Sequence, residues 1–94
     1  MIRSFKPEAG DTENLWKGER VRAFQACEAQ ARRRLATLHA AKSLEDLRAI
    51  RSNDLHALSR DRKGQWAIRI NKQWRVCFKW ENGSAYDVEI VDHH

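Results

Sequence analysis

Three runs between residues 65 and 90 alternate apolar and polar side chains. In Gln65–Asn71, the residues Trp66, Ile68 and Ile70 share one parity, and Ala67 and Arg69 share the other. In Trp74–Trp80, the residues Trp74, Val76, Phe78 and Trp80 share one parity, and Arg75, Cys77 and Lys79 share the other. Tyr86, Val88 and Ile90 alternate again. A helix spaces its apolar residues by three and four, so a period of two predicts half-buried strands. The connections are short. Asn71-Lys72-Gln73 joins the first pair of runs, and Glu81-Asn82-Gly83 joins the second through an Asn-Gly pair, the strongest two-residue hairpin signal. A further strand around Leu55–Leu58 precedes them. This part of the chain is held to an antiparallel meander with one apolar face, and that face needs a cover.

The first half of the chain supplies it. From Val21 to about Ala41 the apolar positions are Val21, Phe24, Cys27, Ala31, Leu35 and Leu38, one helical stripe opposite Arg22, Gln25, Arg32 and Arg33. Asp11 or Thr12 caps a shorter helix through Trp16 that ends at Gly18. Ser43 and Asp46 resemble a capping box that opens one or two turns ending near Ile50. Ile2-Arg3-Ser4-Phe5 alternates as a short strand before Pro7. The expected fold class is α+β: a small antiparallel sheet with two to three helices from the N-terminal half packed on one face. At 94 residues the expectation is a single domain over 1–94.

Several classes fall away. No apolar run exceeds three residues, whereas a membrane helix needs about 20. The N-terminal stretch lacks the apolar core of a signal peptide, so the cytoplasm is expected, with no membrane contact. Cys27 and Cys77 are too few for a disulfide framework and read as reduced, partly buried thiols.

Charge is uneven. The formal net charge is +5. Residues 60–79 hold Arg60, Arg62, Lys63, Arg69, Lys72, Arg75 and Lys79 against Asp61 alone, a net +6. Residues 80–94 hold Glu81, Asp87, Glu89 and Asp92 with no Lys or Arg. If the Trp/Ile/Val/Phe face meets the helices, the opposite face presents Arg69, Arg75 and Lys79 on adjacent strands with no acid among them. Such a platform suits a phosphate backbone. By parity Trp66 and Trp74 belong to the core rather than to a base-stacking surface. The run Arg32-Arg33-Arg34 fits a solvated helix face about as well as a contact with RNA.

The segments Leu55-His56-Ala57-Leu58, Asp61-Arg62-Lys63-Gly64-Gln65-Trp66-Ala67-Ile68-Arg69-Ile70-Asn71 and Gln73-Trp74-Arg75-Val76-Cys77-Phe78 resemble HigB-type toxins of the RelE superfamily. The opening Met1-Ile2-Arg3-Ser4-Phe5-Lys6 and the ending Val88–His94 resemble them too. The resemblance implies a curved sheet facing the substrate and a ribosome-dependent endoribonuclease that cuts messenger RNA in the A site. It also implies a HigA-type helix-turn-helix antitoxin, with operator DNA reached only through the antitoxin complex.

RNA can be cut without a metal when its own 2′-hydroxyl attacks the adjacent phosphate. The reaction needs a base, an acid, and a cation for the developing charge. No cofactor is expected. The resemblance marks Arg75 as the cation, and His56, Asp92, His93 and His94 as the groups around the proton transfers. Arg60, Arg62, Lys63, Arg69, Lys72 and Lys79 are the candidate RNA contacts. Asp92-His93-His94 lacks a spaced partner motif and is weak as a metal site. Two positions depart from the family pattern. Ser59-Arg60 stands where relatives have Lys-Gly, and His93 stands where they have Tyr. A second reading follows from these departures: a homologue of weak activity that serves mainly as an antitoxin-binding co-repressor.

Overall fold

The computed structural model describes residues 1–92. Helices come first: α1 (Gly10–Trp16), α2 (Glu28–Ala40) and α3 (Leu44–Ala49), with 3₁₀ turns at Arg22–Cys27, Arg51–Asn53 and Arg60–Arg62. The strands β1 (His56–Ala57), β2 (Gln65–Arg69), β3 (Trp74–Glu81) and β4 (Ser84–Asp92) follow. They form one antiparallel sheet in the order β1-β2-β3-β4. This is the α+β meander that the alternation predicts.

The stripe expected to run as one helix from Val21 to about Ala41 is divided at Cys27, whose φ of −128° leaves the helical range. The spacings explain the division. Val21, Phe24 and Cys27 are three apart, the repeat of a 3₁₀ helix, while Ala31, Leu35 and Leu38 follow the α-helical four and three. The 3₁₀ turn seats Phe24 edge-on against Trp74, with ring centroids 5.2 Å apart at 90°.

The caps also differ from expectation in one place. Neither Asp11 nor Thr12 caps α1, whose N-cap is Ala9. Thr12 is 1% exposed, and its hydroxyl accepts the Ile90 backbone N–H at 2.9 Å. A buried strand donor outcompetes the solvated helix end for that oxygen, because an unpaired buried N–H costs more. Ser43 does cap α3, accepting the Asp46 N–H at 3.2 Å. The shorter Asp46 side chain reaches back to the Lys42 N–H at 2.9 Å.

The inward faces of β2, β3 and β4, with Ile70 just past β2, bury Ile68, Val76, Phe78, Val88 and Ile90 against Leu15, Phe24, Ala31, Leu35, Leu38 and Leu47. Each of the Ile, Val, Leu and Phe side chains contributes about 1.5–3 kcal/mol on full burial. The β3–β4 turn places Asn82 and Gly83 at φ of 49° and 77°, as the mirror-image hairpin turn requires. A bulge between Cys77 and Lys79 puts Asp87 at φ 51°. The N-terminal segment lies along the free edge of β4 in parallel bridges, Ile2 to Ala85 and Phe5 to Val88.

Both cysteines are buried free thiols. No helix of the described residues is long and apolar enough to cross a membrane.

Candidate active site

The register builds the outer face of the sheet in rows. His56 lies opposite Ala67, Ala67 opposite Cys77, and Cys77 opposite Glu89. The next row is Arg69, Arg75 and Val91. A cleft of about 200 Å³ opens across these rows, lined by His56, Leu58, Arg62, Ala67, Arg75, Cys77, Val91 and Asp92. Three catalytic candidates from distant sequence positions therefore share one hollow, with Arg62 beside them. His93 and His94 lie outside the described residues.

Arg75 is held by the turn that precedes it. Its Nη1 donates to the Asn71 carbonyl at 2.7 Å and, more weakly, to the Trp74 carbonyl at 3.4 Å. Asn71 shapes that turn, since its Oδ1 accepts the N–H groups of Gln73 and Trp74, both at 2.8 Å. This Asx turn is why β2 stops at Arg69 rather than running through Asn71 as expected. The Arg75 Nε is buried with no partner among the described residues. A buried unpaired donor costs about 1–3 kcal/mol. The guanidinium is anchored through Nη1, and its charge stands at the wall of the cleft.

His56 sits at the opposite wall. Its Nδ1 lies 2.9 Å from the Asp54 carbonyl, which can only accept. That contact places the proton on Nδ1 and leaves Nε2 as the basic nitrogen of the neutral ring. Asp54 itself adopts φ 47° at the end of a 3₁₀ turn, which turns its carbonyl toward the ring. Asp92 closes the cleft at the end of β4, where Gln73 Nε2 donates to its Oδ2 at 3.1 Å.

The expected positive platform carries acids as well. Glu89 and Asp87 on β4 share this face with Arg69, Arg75 and Lys79. Glu89 Oε1 lies 3.0 Å from Arg62 Nη2 and 3.5 Å from Lys6 Nζ. It is within ion-pair reach of both, yet neither N–H is aligned on it as a hydrogen bond. Lys79 pairs with Asp87 at 3.3 Å. Burial pushes the Cys77 thiol up from its ordinary pKa. Arg62, Arg75 and Lys6 pull it down in part, and Glu89 adds to the rise. Cys77 is thus a protonated floor for the cleft.

The remaining cations spread along the rim. Arg69 is half-buried beside Arg75 in the cross-strand pair, and Arg60, Lys63 and Lys72 are exposed in the connecting turns. Two members of the Arg32-Arg33-Arg34 run are structural. Arg32 bonds the Glu19 carbonyl and pairs with Glu28, and Arg34 bonds Asn53 Oδ1 at 2.6 Å. Of the three, Arg33 is the exposed one. Sequence reasoning missed Lys6 and Glu89. The signal for Glu89 was its parity with Val91 on the last strand.

A sheet of this order, with its helices on one side and a cleft on the other, is the fold of RelE-like bacterial toxins. A YoeB/ParE toxin from Agrobacterium tumefaciens superposes with a TM-score of 0.56 at 14% identity, over 99% of this chain and 100% of that one. A YoeB dimer from Staphylococcus aureus gives 0.56 at 15% identity, over 99% and 97%. These likenesses concern the fold. The sequence is more specific: residues 13–94 match the family described as RelE-like toxin of type II toxin-antitoxin system HigB, and the chain belongs to that family. Among its relatives, Endoribonuclease HigB of Proteus vulgaris is 42% identical over 40 residues, 43% of this chain and 44% of the relative. Toxin HigB-1 of Vibrio cholerae serotype O1 is 38% identical over 61 residues, 65% of this chain and 64% of the relative. Less than two thirds of either relative's length is therefore spanned.

Proposed function

We propose that the protein is a metal-independent endoribonuclease that cuts messenger RNA in the ribosomal A site and so stops translation. The observation that carries this reading is the convergence of His56, Arg75 and Asp92 on one cleft. Its volume of about 200 Å³ is below the roughly 300 Å³ at which small-molecule pockets begin. It suits a phosphodiester linkage with the bases outside. The family supports the toxin role, and the relative named an endoribonuclease supports the chemistry.

In this mechanism the 2′-oxygen forms a bond to phosphorus and the bond to the 5′-oxygen breaks. One group accepts the 2′-hydroxyl proton and another gives a proton to the leaving oxygen. His56 Nε2 and the Asp92 carboxylate flank the cleft for these transfers, and His93 and His94 adjoin Asp92 in the sequence. Arg75 takes the charge that grows on the phosphoryl oxygens. Arg60, Arg62, Lys63, Arg69, Lys72 and Lys79 guide the RNA to it. The partner is a HigA-type helix-turn-helix antitoxin in the cytoplasm, and operator DNA is met only through that complex.

The test is cleavage of a defined message in EDTA-free buffer, with and without programmed ribosomes. We expect cuts at the A-site codon only with ribosomes, leaving 2′,3′-cyclic phosphate and 5′-hydroxyl ends. Absence of cleavage by a folded, antitoxin-binding protein would refute this function and favour the co-repressor reading.

A further inference from the structure

We infer that Lys6 and Arg62 form a second phosphate subsite beside the cleft, occupied in the free protein by the Glu89 carboxylate. The inference rests on the RNA-directed reading above and extends it to Lys6 and Glu89, which that reading leaves unused.

The argument begins with placement. The Phe5–Val88 bridge sets the N-terminal segment parallel to β4, and Lys6 N–H donates to the Val88 carbonyl at 3.1 Å. That bond brings the Lys6 ammonium alongside Glu89. Arg62 arrives from the other side, at the end of a 3₁₀ turn, with Nη1 on Gln65 Oε1 at 3.2 Å. Two cations from chain positions far apart thus meet at one carboxylate whose side chain is 16% exposed.

The pairing is incomplete. Glu89 Oε1 is buried and near both cations, but it receives no aligned hydrogen bond. A carboxylate has two acceptor oxygens in one plane, whereas a phosphodiester presents its oxygens tetrahedrally between two such donors. Glu89 stands in the same cross-strand row as Cys77, Ala67 and His56. Arg62 lines the cleft itself. An RNA strand whose scissile phosphate meets Arg75 therefore carries a neighbouring phosphate toward Arg62 and Lys6. Glu89 then acts as an internal competitor that lowers affinity for RNA lacking other contacts.

The experiment is fluorescence anisotropy with a short, labelled single-stranded RNA, 2′-O-methylated so that it cannot be cut. Binding is read over a salt series for wild type, Glu89→Gln, and Glu89→Gln combined with Lys6→Gln. Releasing two cations should tighten binding about three- to tenfold and steepen the log–log salt slope by about 0.7–1.4. Adding Lys6→Gln should reverse about half of that gain. Equal or weaker binding by folded Glu89→Gln protein, or no RNA binding by any form, would overturn the subsite. Should Glu89→Gln fail to fold, Lys6→Gln alone must weaken wild-type binding, because Glu89 then stays on Arg62. Unchanged affinity there would overturn it equally. Cleavage on programmed ribosomes by the same wild-type preparation separates the two readings. RNA binding tightened by Glu89→Gln without any wild-type cleavage keeps the subsite and removes the proposed activity.

Discussion

Replacing Thr12 with Val keeps the shape of the side chain and removes one hydroxyl. That hydroxyl accepts the Ile90 N–H at 2.9 Å, and Thr12 and Ile90 are 1% and 7% exposed. The Ile90 donor would be left buried and unpaired, at about 1–3 kcal/mol. The added methyl group returns about 0.8 kcal/mol by burial. The net expectation is a loss of about 0.2–2.2 kcal/mol. For a domain of this size each kcal/mol moves Tm by roughly 4–8 °C, so Tm should fall by about 1–18 °C. The damage should be local to β4, whose last residue is Asp92. Chemical denaturation measures the first effect. Amide hydrogen exchange at Ile90 measures the second, with Thr12→Ser, which keeps the oxygen, as the control. A Thr12→Val protein at least as stable as wild type, with Ile90 still protected, would refute the strut.

Two further outcomes follow from the geometry. Gly83→Ala should cost about 1–3 kcal/mol in urea denaturation, because φ is 77° and the new Cβ would lie 3.2 Å from the Lys42 carbonyl. Gly64→Ala, at φ 93° in open space, should cost less, so equal losses would contradict the contact argument. The raised pKa of Cys77 means that its thiol stays protonated beyond the ordinary range near 8.5. Its alkylation by iodoacetamide should therefore be slow at pH 8 and accelerate only at higher pH. The sign for stability agrees: the contribution is whole below the unfolded pKa and is lost as pH rises through the folded one. Alkylation of native protein at the rate of a free thiol would contradict this.

The meander was legible because β2, β3 and β4 each repeat with period two and Asn82-Gly83 admits one tight turn. The division of the long helical stripe was written in spacings of three, three, then four, four and three, but amphipathicity alone does not separate 3₁₀ from α. Thr12 misled because a hydroxyl near a helix start has the composition of a cap. Its true acceptor role depends on a strand 78 residues away. The site was legible only in part. Parity put Arg75 outward, while the nearness of His56 and Asp92 to it depends on the register across three strand pairs, which no local pattern specifies. Family resemblance supplied those names. Glu89 escaped because residues 80–94 were weighed as a separate acidic segment, although β4 lies beside β3 and shares its outer face. Lys6 escaped because it joins that face only through a parallel bridge between the two ends of the chain.

The central claim is that the cleft around Arg75 cleaves RNA. Single-turnover cleavage on programmed ribosomes, comparing wild type with Arg75→Ala, tests it most directly. Loss of one charge-stabilising donor should slow the step by about 10²–10³-fold, while the variant keeps its thermal melt and its affinity for the antitoxin. A folded Arg75→Ala protein that cuts at the wild-type rate would contradict the account.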